Sequence, residues 1–102
     1  MISSAVSQSG TRQPIASRDA IYQAIDRERN YQDEQWGEGR SHSVSEWVLY
    51  IEYYLQQARM HLTTQTGELQ GLDDMRKIAA MAVCCMEENG IVERGSFPSA
   101  RS

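Results

Sequence analysis

The fold is decided by residues 43–62, which read SVSEWVLYIEYYLQQARMHL. The segment opens with a capping box, because Ser43 and Glu46 are spaced so that each side chain accepts a hydrogen bond from the other residue's backbone amide. Apolar residues then recur at the 3.6-residue period of an α-helix. The pattern predicts a helix over about residues 44–62, whose apolar arc consists of Val48, Ile51, Tyr54, Leu55, Ala58 and Leu62.

A second helical pattern lies upstream, over about residues 18–35. Ser17 is a suitable N-cap and Asp19 places a negative charge in the first turn, where the helix dipole favours it. We expect this helix to end near Trp36-Gly37.

A third helical pattern covers about residues 72–89. Asp73 and Asp74 suit its first turn, and Asn89-Gly90 suits a left-handed C-cap. Its apolar arc consists of Met75, Ile78, Ala79, Ala82, Cys85 and Met86, and the alanines permit close helix packing. Glu87 and Glu88 lie away from the alanines, so we expect them to be solvated.

These patterns predict an all-α fold, a helical bundle of three main helices. We expect a disordered tail over residues 1–17, a helical domain over 18–91 and a flexible tail over 92–102. Because a chain of 102 residues builds only a small core, two chains are expected to pair and complete a four-helix or larger bundle.

Composition and charge narrow the classes of partner and compartment. The chain has 10 Lys and Arg residues and 14 Asp and Glu residues, and its net charge of -4 disfavours binding to duplex DNA. No apolar run approaches the roughly 18 residues of a membrane span, and the N-terminus lacks the pattern of a signal peptide. Cys84 and Cys85 are adjacent and cannot form an ordinary fold-stapling disulfide, so we expect buried free thiols in a cytoplasmic protein.

The first helix carries polar side chains where its apolar face should continue. Glu28, Gln32 and Gln35 follow Ile21 and Ile25 on the same side. A carboxylate directed at a core is costly unless it is paired or bound. One interpretation is that the helix overhangs the bundle and leaves Glu28 solvated. The other is a polar cavity, with lining residues Glu28, Gln32, Trp36 and the nearby Tyr31.

Two further features each have a structural and a functional interpretation. Glu52 and Arg59 lie at the edge of the second helix's apolar arc, where charged side chains usually reach water. In the functional interpretation, Glu52 and Glu28 together would offer two carboxylates to Mg²⁺ or Mn²⁺. The loop over residues 37–43 is either a solvated connector or an anion site, in which Arg40, His42 and the free amides of the following helix contact a phosphate.

The stretches RERNYQDEQWG (27–37), HSVSEW (42–47) and MEENG (86–90) resemble small phage-encoded MazG-like proteins over about residues 18–91. The resemblance implies an all-α, dimeric or larger nucleoside triphosphate pyrophosphohydrolase, which uses Mg²⁺ to release a monophosphate and pyrophosphate. The family gathers carboxylates with Glu-Glu-x-x-Glu on one helix and Glu-x-x-Asp on the next. Residues 52–56, EYYLQ, retain only Glu52 of the first motif, and residues 76–80, RKIAA, have no carboxylate.

The leading hypothesis is therefore a nucleotide pyrophosphohydrolase-like protein of the cytoplasm, or of the host cytoplasm for a phage-encoded chain. Glu28 and Glu52 would hold Mg²⁺ or Mn²⁺, with Glu52 as the catalytic residue, and the metal would lower the pKa of its bound water. The predicted substrate contacts are Tyr31, Gln32, Trp36, Arg40 and His42, with Tyr31 or Trp36 stacking on the base. The alternative is a non-catalytic phage protein that sequesters a nucleotide or blocks a host factor through a helical oligomer. A purely structural oligomerisation module is a third hypothesis.

Overall fold

The computed structural model describes residues 13–37, 41–64 and 67–96. They form three helices, α1 (Arg18–Trp36), α2 (Val44–His61) and α3 (Gly67–Asn89), and these described segments contain no strand. The all-α, three-helix prediction is confirmed. Most of the two predicted tails, and Arg40, lie outside the described residues. None of the three helices is long and apolar enough to cross a membrane.

Local capping signals place three of the helix ends where the sequence predicts them. The Ser17 hydroxyl accepts a hydrogen bond from the backbone amide of Ala20, at 3.1 Å. Both hydrogen bonds of the Ser43–Glu46 capping box form. At the end of α3, Gly90 adopts a positive φ of 105° and donates its amide to the Met86 carbonyl at 2.8 Å.

The third helix begins at Gly67, five residues earlier than predicted. Asp73 and Asp74, which were expected in the first turn, lie further along the helix and pair with other side chains. Asp74 is buried and its carboxylate lies 2.6 Å from Nδ1 of His61, whereas Asp73 pairs with Arg76 and Lys77. A helix start inferred from acidic residues was therefore wrong here, because a tertiary contact with His61 holds Asp74 and ion pairs within α3 hold Asp73.

α3 is the central element, since both other helices pack on it. α2 runs antiparallel to α3, with Trp47 beside Glu88 at one end and His61 beside Asp74 at the other. α1 crosses α3 steeply, because its successive residues Glu28 and Arg29 reach α3 positions about three turns apart.

The core cluster consists of Trp47, Met81 and Cys84, with Trp36, Ile51, Tyr54 and Cys85 packed against it. The predicted apolar arcs were rotated from the buried sides. In α2 the chain buries Trp47 and Ala58 and exposes Val48 and Leu55, and in α3 it exposes Met75 and Met86. Two helices cover α3 from different directions, so its buried side is not the single stripe that periodicity assumes.

α1 is held on α3 by charged groups. Arg29 is buried and its guanidinium lies 2.7 Å from both Glu87 and Asp33. Burial opposes the charged form of Arg29, but its hydrogen bonds with Asp33 and Glu87 outweigh that effect and raise its pKa. Glu28 accepts a hydrogen bond from Arg76 at 3.1 Å, and its side chain is only 10% exposed. The polar face of α1 therefore packs against α3 instead of overhanging it.

Gly67 and Gly71 allow the start of α3 to approach the end of α2, and they predict opposite responses to alanine. A Cβ at Gly67 would overlap the His61 carbonyl oxygen and lie 2.7 Å from Leu62 Cα, which are backbone atoms that cannot move aside. A Cβ at Gly71 would make ordinary contact with the flexible Leu62 side chain, at 3.4 Å.

We therefore expect Gly67→Ala to lower the free energy of unfolding by about 1–3 kcal/mol through overpacking. We expect Gly71→Ala to raise it by up to about 1 kcal/mol, because alanine is the better helix former. Urea denaturation followed by circular dichroism measures both values. Equal effects of the two substitutions would contradict the packing at this helix junction.

Candidate functional site

α1 and α2 both pack on α3 but do not pack against each other, so a cleft remains between them. One half of the cleft is aromatic and has a volume of about 220 Å³. It is lined by Trp36, His42, Trp47, Tyr50, Tyr54 and Met81. We call this the aromatic half.

The rings of the aromatic half support each other at tilted and edge-on angles. The centroids of Trp36 and Trp47 are 6.0 Å apart, with 41° between their planes. His42 lies edge-on to Trp47 at 5.3 Å and to Tyr50 at 5.1 Å. Such edge-to-face contacts are favourable and hold the rings in fixed positions, and Tyr50 is the most exposed of them, at 43%.

The other half of the cleft is polar and has a volume of about 280 Å³. Trp36, Tyr54 and Met81 line both halves, so the two cavities adjoin at these side chains. The remaining lining residues of this polar half are Glu28, Tyr31, Gln32, Gln35 and Lys77.

Charges in the polar half are already partly balanced. Glu28 pairs with Arg76, and Lys77 Nζ lies 3.3 Å from Asp73. The Gln32 amide donates to the Lys77 carbonyl at 3.3 Å, whereas its buried Oε1 has no hydrogen-bond partner among the described residues. The polar half thus combines one ammonium group, one neutralised carboxylate and several amide and hydroxyl groups.

Glu88 fixes the aromatic half to the end of α3. One oxygen of its carboxylate accepts hydrogen bonds from the His42 backbone amide, at 2.9 Å, and from the Trp47 indole, at 2.7 Å. Asn89 donates to the His42 carbonyl at 3.0 Å. The expectation that Glu88 is solvated was wrong, because the segment before α2 folds over this end of α3 and supplies donors to the carboxylate.

The same carboxylate affects two pKa values. Partial burial disfavours its charge, but the hydrogen bonds from His42, Trp47 and Cys84 outweigh this and lower the pKa of Glu88. Burial raises the pKa of the Cys84 thiol to about 11, and the neighbouring negative charge of Glu88 adds to this effect. The positive charge of Arg29 opposes it but does not outweigh it. Cys84 is therefore protonated at neutral pH and is a poor nucleophile.

The cleft brings together most of the predicted site residues. Glu28, Tyr31, Gln32 and Trp36 line its polar half, and His42 and Trp36 line its aromatic half. Arg40 lies outside the described residues.

Glu52 is placed elsewhere. It is exposed, and it lies two residues from both Tyr50 and Tyr54, which is about 160° around α2 from the side that lines the cleft. Glu28, its expected companion, is held by Arg76. No three His, Cys, Asp or Glu side chains gather as metal ligands within the described segments. These residues do not fit the predicted Mg²⁺ or Mn²⁺ site.

Sequence reasoning missed four side chains that line the cleft, Trp47, Tyr50, Tyr54 and Met81. It also missed Glu88, which holds His42 and Trp47 in place. Part of the signal was present, because aromatic residues at 47, 50 and 54 recur at helical spacing on one side of α2. Met81 and Glu88 gave no local signal, since their roles depend on which side of α3 receives α2.

Replacing Glu88 tests this anchor. We expect Glu88→Gln to lower the free energy of unfolding at neutral pH by about 1–3 kcal/mol, because it removes charge-assisted hydrogen bonds, and to shift the tryptophan emission. A lowered carboxyl pKa adds stability that is complete above the ordinary value of 4.5 and is lost as the pH falls through the value in the folded protein. The difference in stability between wild type and Glu88→Gln should therefore shrink on acidification. A difference that stays constant from neutral to acidic pH would contradict the role of the Glu88 charge.

Comparisons with protein-family models, with curated proteins and with solved structures found no match to this chain. The resemblance to MazG-like proteins therefore stays a prediction from the residues that carry it. The candidate site is defined by its own geometry, an aromatic cavity that adjoins a polar one in the cleft between α1 and α2.

Proposed function

We propose that this protein binds a nucleotide in the cleft between α1 and α2 and does not hydrolyse it. The observation that carries the proposal is the convergence of five aromatic side chains, from α1, the segment before α2 and α2 itself, on one cavity that adjoins a polar one. A nucleobase would occupy the aromatic half, and the sugar and phosphate would extend into the polar half. Flat π-faces bind bases of any identity by stacking.

The volumes of the two halves suit a ligand with a flat ring system at one end and a polar group at the other. The aromatic half, at about 220 Å³, is smaller than the roughly 300–1,000 Å³ of pockets that enclose a whole drug-sized ligand. It suits one ring system. The adjoining polar half supplies a similar volume for the rest of the molecule.

Charge favours a ligand with few phosphates. Among the described residues, Lys77 is the cation that lines the polar half, it already contacts Asp73, and Glu28 contributes a carboxylate to the same wall. A triphosphate would bring several negative charges to this balanced surface. A nucleoside or a monophosphate fits the available charge better, because it brings no phosphate or a single one to this surface.

The cleft is also supported before a ligand arrives. Glu88 and Asn89 hold the backbone of His42 from both its amide and its carbonyl, and Trp47 is 2% exposed. Side chains that are already fixed lose little conformational entropy on binding.

The pyrophosphohydrolase hypothesis draws less support from this arrangement. It needs carboxylates that converge on a metal beside the phosphates, whereas Glu52 lies on the side of α2 away from the cleft and Glu28 is paired with Arg76. Hydrolysis would therefore require groups other than this pair.

Titration of the tryptophan fluorescence with nucleosides, monophosphates and triphosphates, with and without Mg²⁺, tests the proposal. We expect saturable binding that Tyr50→Ala weakens by about fivefold to a hundredfold, because stacking on an aromatic ring is worth about 1–3 kcal/mol per base. Tyr22→Ala is the matched control, since Tyr22 is exposed on α1 and is not among the residues that line the cleft. Lys77→Gln should reduce the affinity for a monophosphate more than the affinity for the nucleoside.

Two results would overturn the proposal. One is the absence of saturable binding for every nucleoside and nucleotide tested. The other is release of pyrophosphate from a triphosphate with Mg²⁺, which disappears in Glu52→Gln and would favour the hydrolase instead.

A further inference from the structure

The side of the α2–α3 pair that faces away from the aromatic half is apolar and uncovered by the described residues. Large side chains on it are between 44% and 67% exposed. They come from α2 and its C-cap residue (Val48, Leu55 and Leu62) and from α3 (Leu72, Met75 and Met86), and we call this surface the apolar face.

Helical geometry places these side chains on one side of the pair. On α2, Trp47 and Ala58 point at α3, Tyr50 and Tyr54 lie toward the cleft, and the three apolar residues lie on the other flank. They recur every seven residues, which keeps them in one row. On α3, Leu72 and Met86 are also separated by a multiple of seven, with Ala79 midway between them.

We propose that a second copy of this chain covers the apolar face, related by a twofold axis perpendicular to the helices, so that two α2–α3 pairs form an antiparallel four-helix bundle. The axis passes Leu55 on α2 and Ala79 on α3. The proposal is independent of nucleotide binding, because α1 and the cleft lie on the opposite side and stay open.

The sequence of α2 is complementary to itself in this register. An antiparallel pair centred on Leu55 places it against the partner's Leu55 and places Val48 against the partner's Leu62. The same register brings Glu52 to within one residue of the level of the partner's Arg59. Both charges flank the apolar row, both are exposed, and neither forms an ion pair within the described residues. A twofold interface repeats each such pair, so one complementary pair becomes two.

α3 gives an independent check on the position of the axis. The contacts of Trp47 with Glu88 and of His61 with Asp74 fix the antiparallel register of α2 and α3, which puts Ala79 and Ala80 about level with Leu55. An axis at Ala79 places Leu72 against the partner's Met86 and Met75 against the partner's Val83. The alanine at the centre permits close approach of the two α3 helices.

Self-complementarity is the reason to assign a second copy and not an unrelated protein to this face. An unrelated partner would need neither the central placement of Leu55 and Ala79 on one axis nor the reciprocal spacing of Glu52 and Arg59. Exposed apolar side chains that share one side of a helix pair are typical of association surfaces, and here the charge pattern selects the partner.

Light scattering coupled to size-exclusion chromatography tests the assignment. We expect the wild-type chain to be a dimer and Leu55→Asp to be a monomer, because the substitution sets two carboxylates against each other on the axis. Leu49→Asp is the matched control, since Leu49 is 64% exposed on α2 about 120° around the helix from Leu55. A monomeric wild type, or equal effects of the two substitutions, would overturn the proposal.

Charge exchange tests the register with exposed residues that folding does not depend on. Glu52→Arg and Arg59→Glu should each raise the dimer dissociation constant severalfold, by placing like charges together. The double substitution should restore it to near the wild-type value. A double variant no better than either single one would overturn the register. Circular dichroism of every variant confirms that the helices are intact, and the charge variants decide the matter if Leu55→Asp unfolds.

Discussion

The hydrogen bond from the Trp47 indole to Glu88, at 2.7 Å, is the contact on which the arrangement of this protein depends. Trp47 is the largest fully buried side chain of the described residues, and a buried indole N–H is costly without an acceptor. Glu88 supplies that acceptor from the end of α3 and binds the His42 amide with the same oxygen. One carboxylate thereby sets the register of α2 on α3, closes the core over Met81 and holds the wall of the cleft in place.

α1 joins this pair by a different kind of contact. Its buried residues are polar, Arg29 and Gln32, and ion pairs with α3 replace the apolar stripe of an ordinary bundle helix. Such pairs gain less free energy than apolar packing because each charge must lose water. They leave α1 separated from α2, and that separation is the cleft. The polar side of α1, which is unfavourable for a core, is therefore suited to a wall that a ligand contacts.

Whether a structural feature could be predicted from the sequence depended on how far apart in the chain the interacting residues lie. Caps at Ser17, Ser43 and Gly90 act within a few residues, so the helix ends that they mark were predictable. The polar cavity at Glu28, Gln32 and Trp36 was one of two interpretations, since helical spacing put these side chains together without saying what faces them. The burial of Asp74 and the role of Glu88 were not predictable, because their partners lie 13 and 41 residues away in the sequence.

The sequence by itself determined the all-α class, the number of helices and most of their ends, because backbone periodicity and capping are local. Only the tertiary structure decided which side of each helix is buried. It put Tyr50 and Tyr54 of α2 in the cleft and Glu52 on the opposite side, and it gave Glu28 a partner in Arg76. The physical reason is that helices have several sides of similar polarity here. The choice among them follows from long-range contacts such as those of Trp47 with Glu88 and His61 with Asp74.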